Sequence, residues 1–94
     1  MKVYFFGSPT CDRCFELLNN LANATLDLRE EDEFCMIDAF DDSNEALCDE
    51  HNVDDLPHVK VVLSNGSILF EHIGVFNPEM LTNSIEFARL SNRT

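Results

Sequence analysis

Two cysteines stand three positions apart in the run Ser8-Pro9-Thr10-Cys11-Asp12-Arg13-Cys14. Disulfide exchange needs an exposed thiolate to attack and a second thiol near enough to release the mixed disulfide from within, and this spacing supplies both. From Asp12 onward the apolar positions 14, 17, 18 and 21 recur at helical spacing to about Ala24. Cys11 therefore opens a helix and Cys14 lies on its apolar stripe. The helix dipole and the unsatisfied N–H groups of the first turn favour a thiolate, so Cys11 is expected to ionise below the free-thiol value of about 8.5. Arg13 assists that ionisation and Asp12 opposes it. Cys14, sheltered, stays protonated until it resolves the mixed disulfide.

The same pair could instead form half of a zinc site, completed by Cys35 and Cys48 or by His51, His58 and His72. Structural zinc sites usually show a second close pair. Cys35 and Cys48 stand singly, one in an apolar strand and one on an apolar helix face, and are expected as core thiols. The three histidines are expected to be packed or solvent-facing, although His58 is placed to reach the cysteine pair. Pro57, read by itself, is a proline beginning a strand, where its missing N–H costs little.

Charge narrows the partners. The chain has 94 residues, is 45% hydrophobic and carries a formal charge of −12. Thirteen of its acids lie between Asp27 and Asp55 against the single base Arg29, while the remaining five acids and five bases balance. Nucleic acid is excluded as a partner, because phosphate binding needs clustered Lys and Arg. The acidic block is expected to form a solvated face that deters edge pairing, or to steer a basic partner toward Asp54 and Asp55 near Leu56-Pro57. The first apolar run, Val3 to Phe6, is too short for a signal peptide, and nothing approaches the roughly 20 apolar residues of a membrane span. These readings predict a cytoplasmic monomer with no membrane partner, its thiols reduced. No cofactor is called for.

A chain of this length forms one domain, expected to bury roughly 60 to 70% of its unfolded surface, and its elements must hold the cysteine pair. Lys2 to Phe6 is apolar without alternation, as in a central strand covered on both faces. Gly7, Ser8 and Pro9 break it before the cysteine helix. Phe34 to Ile37 reads as a second strand. Asp42 and Glu45 resemble a capping box for a helix over about Ser43 to His51, with Ala46, Leu47 and Cys48 inward. Val59 to Leu63 and Ile68 to Ile73 form a hairpin through Asn65-Gly66. Asn77-Pro78 caps and opens a last helix burying Met80, Leu81, Ile85 and Ala88. Phe5, Phe6, Phe34 and Phe70 in strands and Phe15 and Phe87 in helices are expected in the core. Phe76 and Tyr4 have no assigned place. The order is β-α-β-α-β-β-α, an α/β arrangement whose first unit crosses over right-handedly into parallel strands.

With strand, Ser-Pro-Thr-Cys-Asp-Arg-Cys, helix, Leu56-Pro57, hairpin and Gly74 in that order, the chain resembles the thioredoxin and glutaredoxin family over essentially its whole length. The resemblance implies the short thioredoxin fold with a four-stranded mixed sheet of order 2-1-3-4. It implies Cys11 as nucleophile, Cys14 as resolving thiol and Pro57 as a cis proline that positions substrate backbone, with Thr10, Asp12, Arg13 and Leu56 touching substrate. It implies a dithiol-disulfide oxidoreductase, a redox-active centre serving electron transport and cell redox homeostasis. Its partners would be protein disulfide clients, with a reductase or glutathione as electron donor. Both branches differ from this chain. Where glutaredoxins carry Pro-Tyr, an upstream lysine and a Gly-Gly-x-Asp turn for glutathione, this chain has Asp12-Arg13, Ser8 and Gly74-Val75-Phe76-Asn77. Where thioredoxins carry a tryptophan, Gly-Pro and a buried aspartate, it has Thr10, Asp12-Arg13 and Phe5.

Overall fold

The computed structural model describes residues 1–24 and 28–91, the side chain of residue 91 excepted. Asp27, first of the acidic block, and Arg93 lie outside the described residues. Four strands, β1 (Lys2–Gly7), β2 (Glu33–Asp38), β3 (His58–Val62) and β4 (Ile68–Ile73), form one sheet in the order β2-β1-β3-β4. β1 runs parallel to β2, with Val3 opposite Phe34, and antiparallel to β3, with Phe5 opposite Val59. β3 and β4 are antiparallel, with an irregularity at Val61/Val62. The mixed sheet and its 2-1-3-4 order are those the resemblance implies.

Period-2 alternation along β1 sends its side chains to opposite faces of the sheet, and each face has its own core. Val3, Phe5, Val59 and Val61 pack under α1 (Asp12–Asn23) and α3 (Pro78–Ser91) with Cys14, Leu17, Leu21, Phe76, Leu81 and Ile85. Phe6 and Ile37 pack on the other face with Cys48 of α2 (Glu45–Glu50), and Tyr4 and Cys35 join them. Tyr4 lies against the ring of His51 at a centroid distance of 4.8 Å. α2 is a short helix that follows a 3-10 turn at Asp42–Asn44.

Several expectations are corrected. The expected cap at Asp42 is not formed: Asp41 caps the 3-10 turn instead, its carboxylate accepting from the Ser43 N–H at 3.0 Å and hydroxyl at 2.8 Å, and α2 itself starts after Asn44 with no side-chain cap. These two bonds hold the Asp41 carboxyl below the ordinary value. Ala46 is exposed because six helical residues present a single inward line, which Cys48 fills. Phe15, Phe34, Phe87 and Met80 are exposed rather than buried, at 51, 37, 70 and 47%. Three helices cover this sheet only partly, so aromatic residues near its edge and on outer helix faces have nothing to pack beneath. The hairpin turn is closed by Gly66 N–H to Leu63 C=O at 2.9 Å, and the left-handed residue is Gly66 at φ +88°. A glycine at that place in a three-residue loop lets the strands keep their twist. Asn77 caps α3 as expected, its side chain accepting from the Glu79 N–H at 3.0 Å.

Candidate active site

β1 ends at Gly7 and the chain must turn within four residues to enter α1. Ser8, buried at this corner, accepts from the Cys11 N–H through its carbonyl at 3.2 Å and from the Thr10 N–H through its hydroxyl at 3.2 Å. Its hydroxyl also lies 3.0 Å from that of Thr10. Cys11 then takes the N-cap position with extended backbone, and its Sγ accepts from the Cys14 N–H at 3.2 Å. Sulfur thus occupies the place where a capping oxygen ordinarily satisfies a free N–H of the first turn. Cys11 and Cys14 are joined as a disulfide with Cα atoms 5.2 Å apart.

The two sulfurs differ in surroundings. Cys11 is half-buried at the rim, whereas Cys14 is 4% exposed among Phe5, Leu17 and Leu21. Gly7 permits this closeness. A Cβ on that residue would stand 3.0 Å from the Phe5 ring and 3.4 Å from both Cβ and Sγ of Cys14. The sequence marked Gly7 only as a strand breaker; its position one residue past an apolar strand, directly before a cysteine turn, was the signal available for a close approach.

The Leu56–Pro57 peptide bond is cis. Pro57 is buried, and its carbonyl accepts from the Gly74 N–H at 2.7 Å. Because His58 pairs with Phe6, Pro57 lies level with Gly7, at the end of the sheet from which the cysteine turn leaves. Leu56 is half-buried and touches both cores, while Thr10, Asp12 and Arg13 are exposed beside Cys11. All seven residues singled out from the sequence gather at one end of the molecule.

His58 does not join them. Its ring is 2% exposed on the α2 face, edge-on to Phe6, with Nε2 2.8 Å from a Glu71 carboxylate oxygen. Lys60, also buried, reaches the same carboxylate at 4.0 Å. Cys35 and Cys48 belong to that face too, across the sheet from Cys14. Burial, then the charge of Glu33, pushes the Cys35 thiol up; burial, then the charges of Asp49 and Asp38, does the same to Cys48. Among the described residues no three of His, Cys, Asp and Glu converge to hold a metal ion. Sequence reasoning also missed a cavity of about 320 Å³ beside Cys14, lined by Phe5, Ser8, Pro9, Phe15, Leu18, Met36, Ile37 and Asp38.

No protein-family model and no curated protein matches this sequence. Solved structures do match. Thioredoxin 1 from Thermosipho africanus superposes with a TM-score of 0.72 at 21% identity, covering 98% of this chain and 99% of its own. The fold is the thioredoxin fold. Thioredoxin-2 of the malaria parasite, described as a component of that parasite's protein secretion machinery, gives 0.74 at 20% identity over 92% of this chain and 81% of its own. The thioredoxin of Trypanosoma brucei brucei gives 0.68 at 23% identity over 93 and 73%. Within a thioredoxin fold, the Cys11–Cys14 turn stands at the end of the central strand β1. Phe5, 2% exposed, holds an apolar ring where the family resemblance implies a carboxylate.

Proposed function

We propose that this protein is a dithiol-disulfide oxidoreductase that reduces protein disulfides through Cys11 and Cys14. The observation that carries the reading is the pairing of a rim cysteine, whose sulfur caps a helix, with a buried cysteine one turn on. In the reduced protein the Cys11 thiolate attacks one sulfur of a client disulfide. A mixed disulfide forms and the client's other sulfur leaves as a thiolate, which takes up a proton. Cys14 gives up its proton and attacks Cys11 Sγ, releasing the client's second thiolate. The client gains two electrons and two protons, and the protein is left with the Cys11–Cys14 disulfide. A reductase or glutathione then restores the two thiols. The helix start and the Cys14 N–H favour the attacking thiolate, and exposed Thr10, Asp12 and Arg13 with Leu56 and Pro57 supply a surface for client backbone.

Two measurements test this. Alkylation of reduced protein by iodoacetamide should modify Cys11 first, with a midpoint below the free-thiol value of about 8.5, and the protein should catalyse insulin reduction by dithiothreitol. A midpoint at or above the free value together with absent insulin reduction overturns the proposal. In cell extract, Cys14→Ser should retain clients as mixed disulfides on Cys11. Recovery of glutathione alone would make the protein a glutaredoxin in function.

A further inference from the structure

β2 is an edge strand: it pairs with β1, and among the described residues no strand pairs with its outer side. Its backbone N–H and C=O groups on that side are open to an added strand. On the α1 face of this edge, Met36 and Phe34 stand two residues apart and are 62 and 37% exposed, and Phe15 of α1 is 51% exposed. Between them runs an apolar groove. Its first part is the cavity of about 320 Å³ that reaches Cys14. Its second part, about 310 Å³, lies between Phe34 and the Leu18–Ala24 side of α1, and Leu18 borders both. Each part is at the lower end of the roughly 300–1,000 Å³ range of ligand sites, room enough to admit an apolar side chain.

The charge around the groove selects its occupant. Asp38 lines the first part, and Glu30, Glu31, Glu33, Asp41 and Asp42 are exposed at the two ends of β2. From Ser8 to Asp42 the sequence holds ten acids against Arg13 and Arg29. A second copy laid along this edge would bring like charges together, directly opposing pairing. We infer that the groove between α1 and β2 docks an extended client segment in which apolar side chains alternate with Lys or Arg. Such a segment adds a strand to β2. Its alternate side chains, separated by two residues, fill the two parts of the groove, and its cations meet the acids of the rim. It would hold the client beside the cysteine turn. This inference names the client chemistry for the function proposed above and rests on that reading for its purpose.

The test uses the reduced full chain and two disulfide-linked peptides of equal length. One carries alternating Phe and Lys beside its disulfide; the other has Glu for each Lys. Hydroxyethyl disulfide, neutral and too small to span the groove, reports the thiol chemistry alone. The lysine peptide should react at least about tenfold faster than the glutamate peptide at low salt, the gap closing as salt is raised. Phe15→Ala with Met36→Ala should remove most of the gap and leave hydroxyethyl disulfide within about twofold of the unsubstituted protein. Docking is also read without redox chemistry, by fluorescence anisotropy of the lysine peptide with serine for its cysteines, where the double variant should weaken binding about tenfold. Loss of hydroxyethyl disulfide reduction with peptide binding intact strikes the proposed function and not the groove. Equal rates for the two peptides, or binding unaffected by the double variant, overturns the inference. A dimer in sedimentation velocity that the double variant dissolves assigns the groove to a second copy and overturns it as well.

Discussion

Cys11 and Cys14 share one chemistry and occupy two environments. Thiol-disulfide exchange asks for residue types at a spacing, so the pair was legible in the sequence; their unequal burial follows from the helical stripe on which Cys14 falls. Cys11→Ser should abolish insulin reduction, whereas Cys14→Ser should permit the first attack and stall at the mixed disulfide, seen as a client adduct by mass spectrometry. The other two thiols should contrast with this pair. Since burial and carboxylates push the Cys35 and Cys48 thiols up, brief iodoacetamide treatment near neutral pH should label Cys11 while both remain largely unmodified in peptide maps. In the sequence Gly7 reads only as a strand breaker before the cysteine turn. Its role depends on Phe5 and Cys14 converging on one spot, a contact that exists only once β1 and α1 are packed.

At the scale of elements, a methyl group at Gly7 would meet a Phe5 ring atom of the same strand at 3.0 Å and, across the β1–α1 packing, Cβ and Sγ of Cys14 at 3.4 Å. Gly7→Ala should destabilise the protein by about 1–3 kcal/mol, the usual cost of overpacking a core, measured by urea denaturation of the oxidised form. The β3–β4 pair holds a second constraint. Glu71, opposite Lys60 in the register, is the shared partner of buried His58 and Lys60. Glu71→Ala should cost about 1–3 kcal/mol, because a buried donor left without its partner keeps its desolvation penalty. Helix and strand positions were legible from periodicity and turn residues, since both patterns are local. The capping box expected of Asp42 and Glu45 gives way to a 3-10 turn capped by Asp41, with α2 following it uncapped by any side chain. Asp41, Asp42 and Ser43 all have capping chemistry, and which of them caps depends on how β2 delivers the chain.

Across the whole molecule the acidic block is not uniform. Most of it is solvated, but the Asp32 side chain is fully buried and binds the N-terminal ammonium at 2.9 Å and the Arg89 guanidinium. This carboxylate links the start of β1, the approach to β2 and the end of α3. Burial alone would push Asp32 up; hydrogen bonds from the Arg29 N–H, the N-terminal ammonium and Arg89, with the charge of Arg89, outweigh it and hold the carboxyl at about 2 against an ordinary 3.8. The folded state therefore binds this proton less readily than the unfolded chain. The stabilisation is complete above about pH 4 and is lost as pH falls through about 2. Asp32→Asn should remove about 2 kcal/mol at neutral pH and flatten that part of the stability profile. His51 acts in the same direction at higher pH. Burial, then the charges of Lys60 and His58, lowers it from 6.5, so its stabilisation is present above 6.5 and fades as pH falls through its lower folded value.

By itself the sequence determined the order of elements, the close cysteine pair and the concentration of negative charge, because spacing, periodicity and composition are properties of the chain. Through the family pattern it also led to Pro57 and the sheet order. Tertiary structure alone decided which side chains the sheet leaves uncovered. Phe15, Phe34 and Met36 look like core residues in a local pattern, yet they line an open groove because β2 is an edge and, among the described residues, no strand neighbours its outer side. It likewise decided that Asp32, among the described acids of the block, has its side chain fully buried and bonded. Burial is set by what packs over a position, and that partner arrives from far along the chain: Arg89 comes to Asp32 across 57 residues.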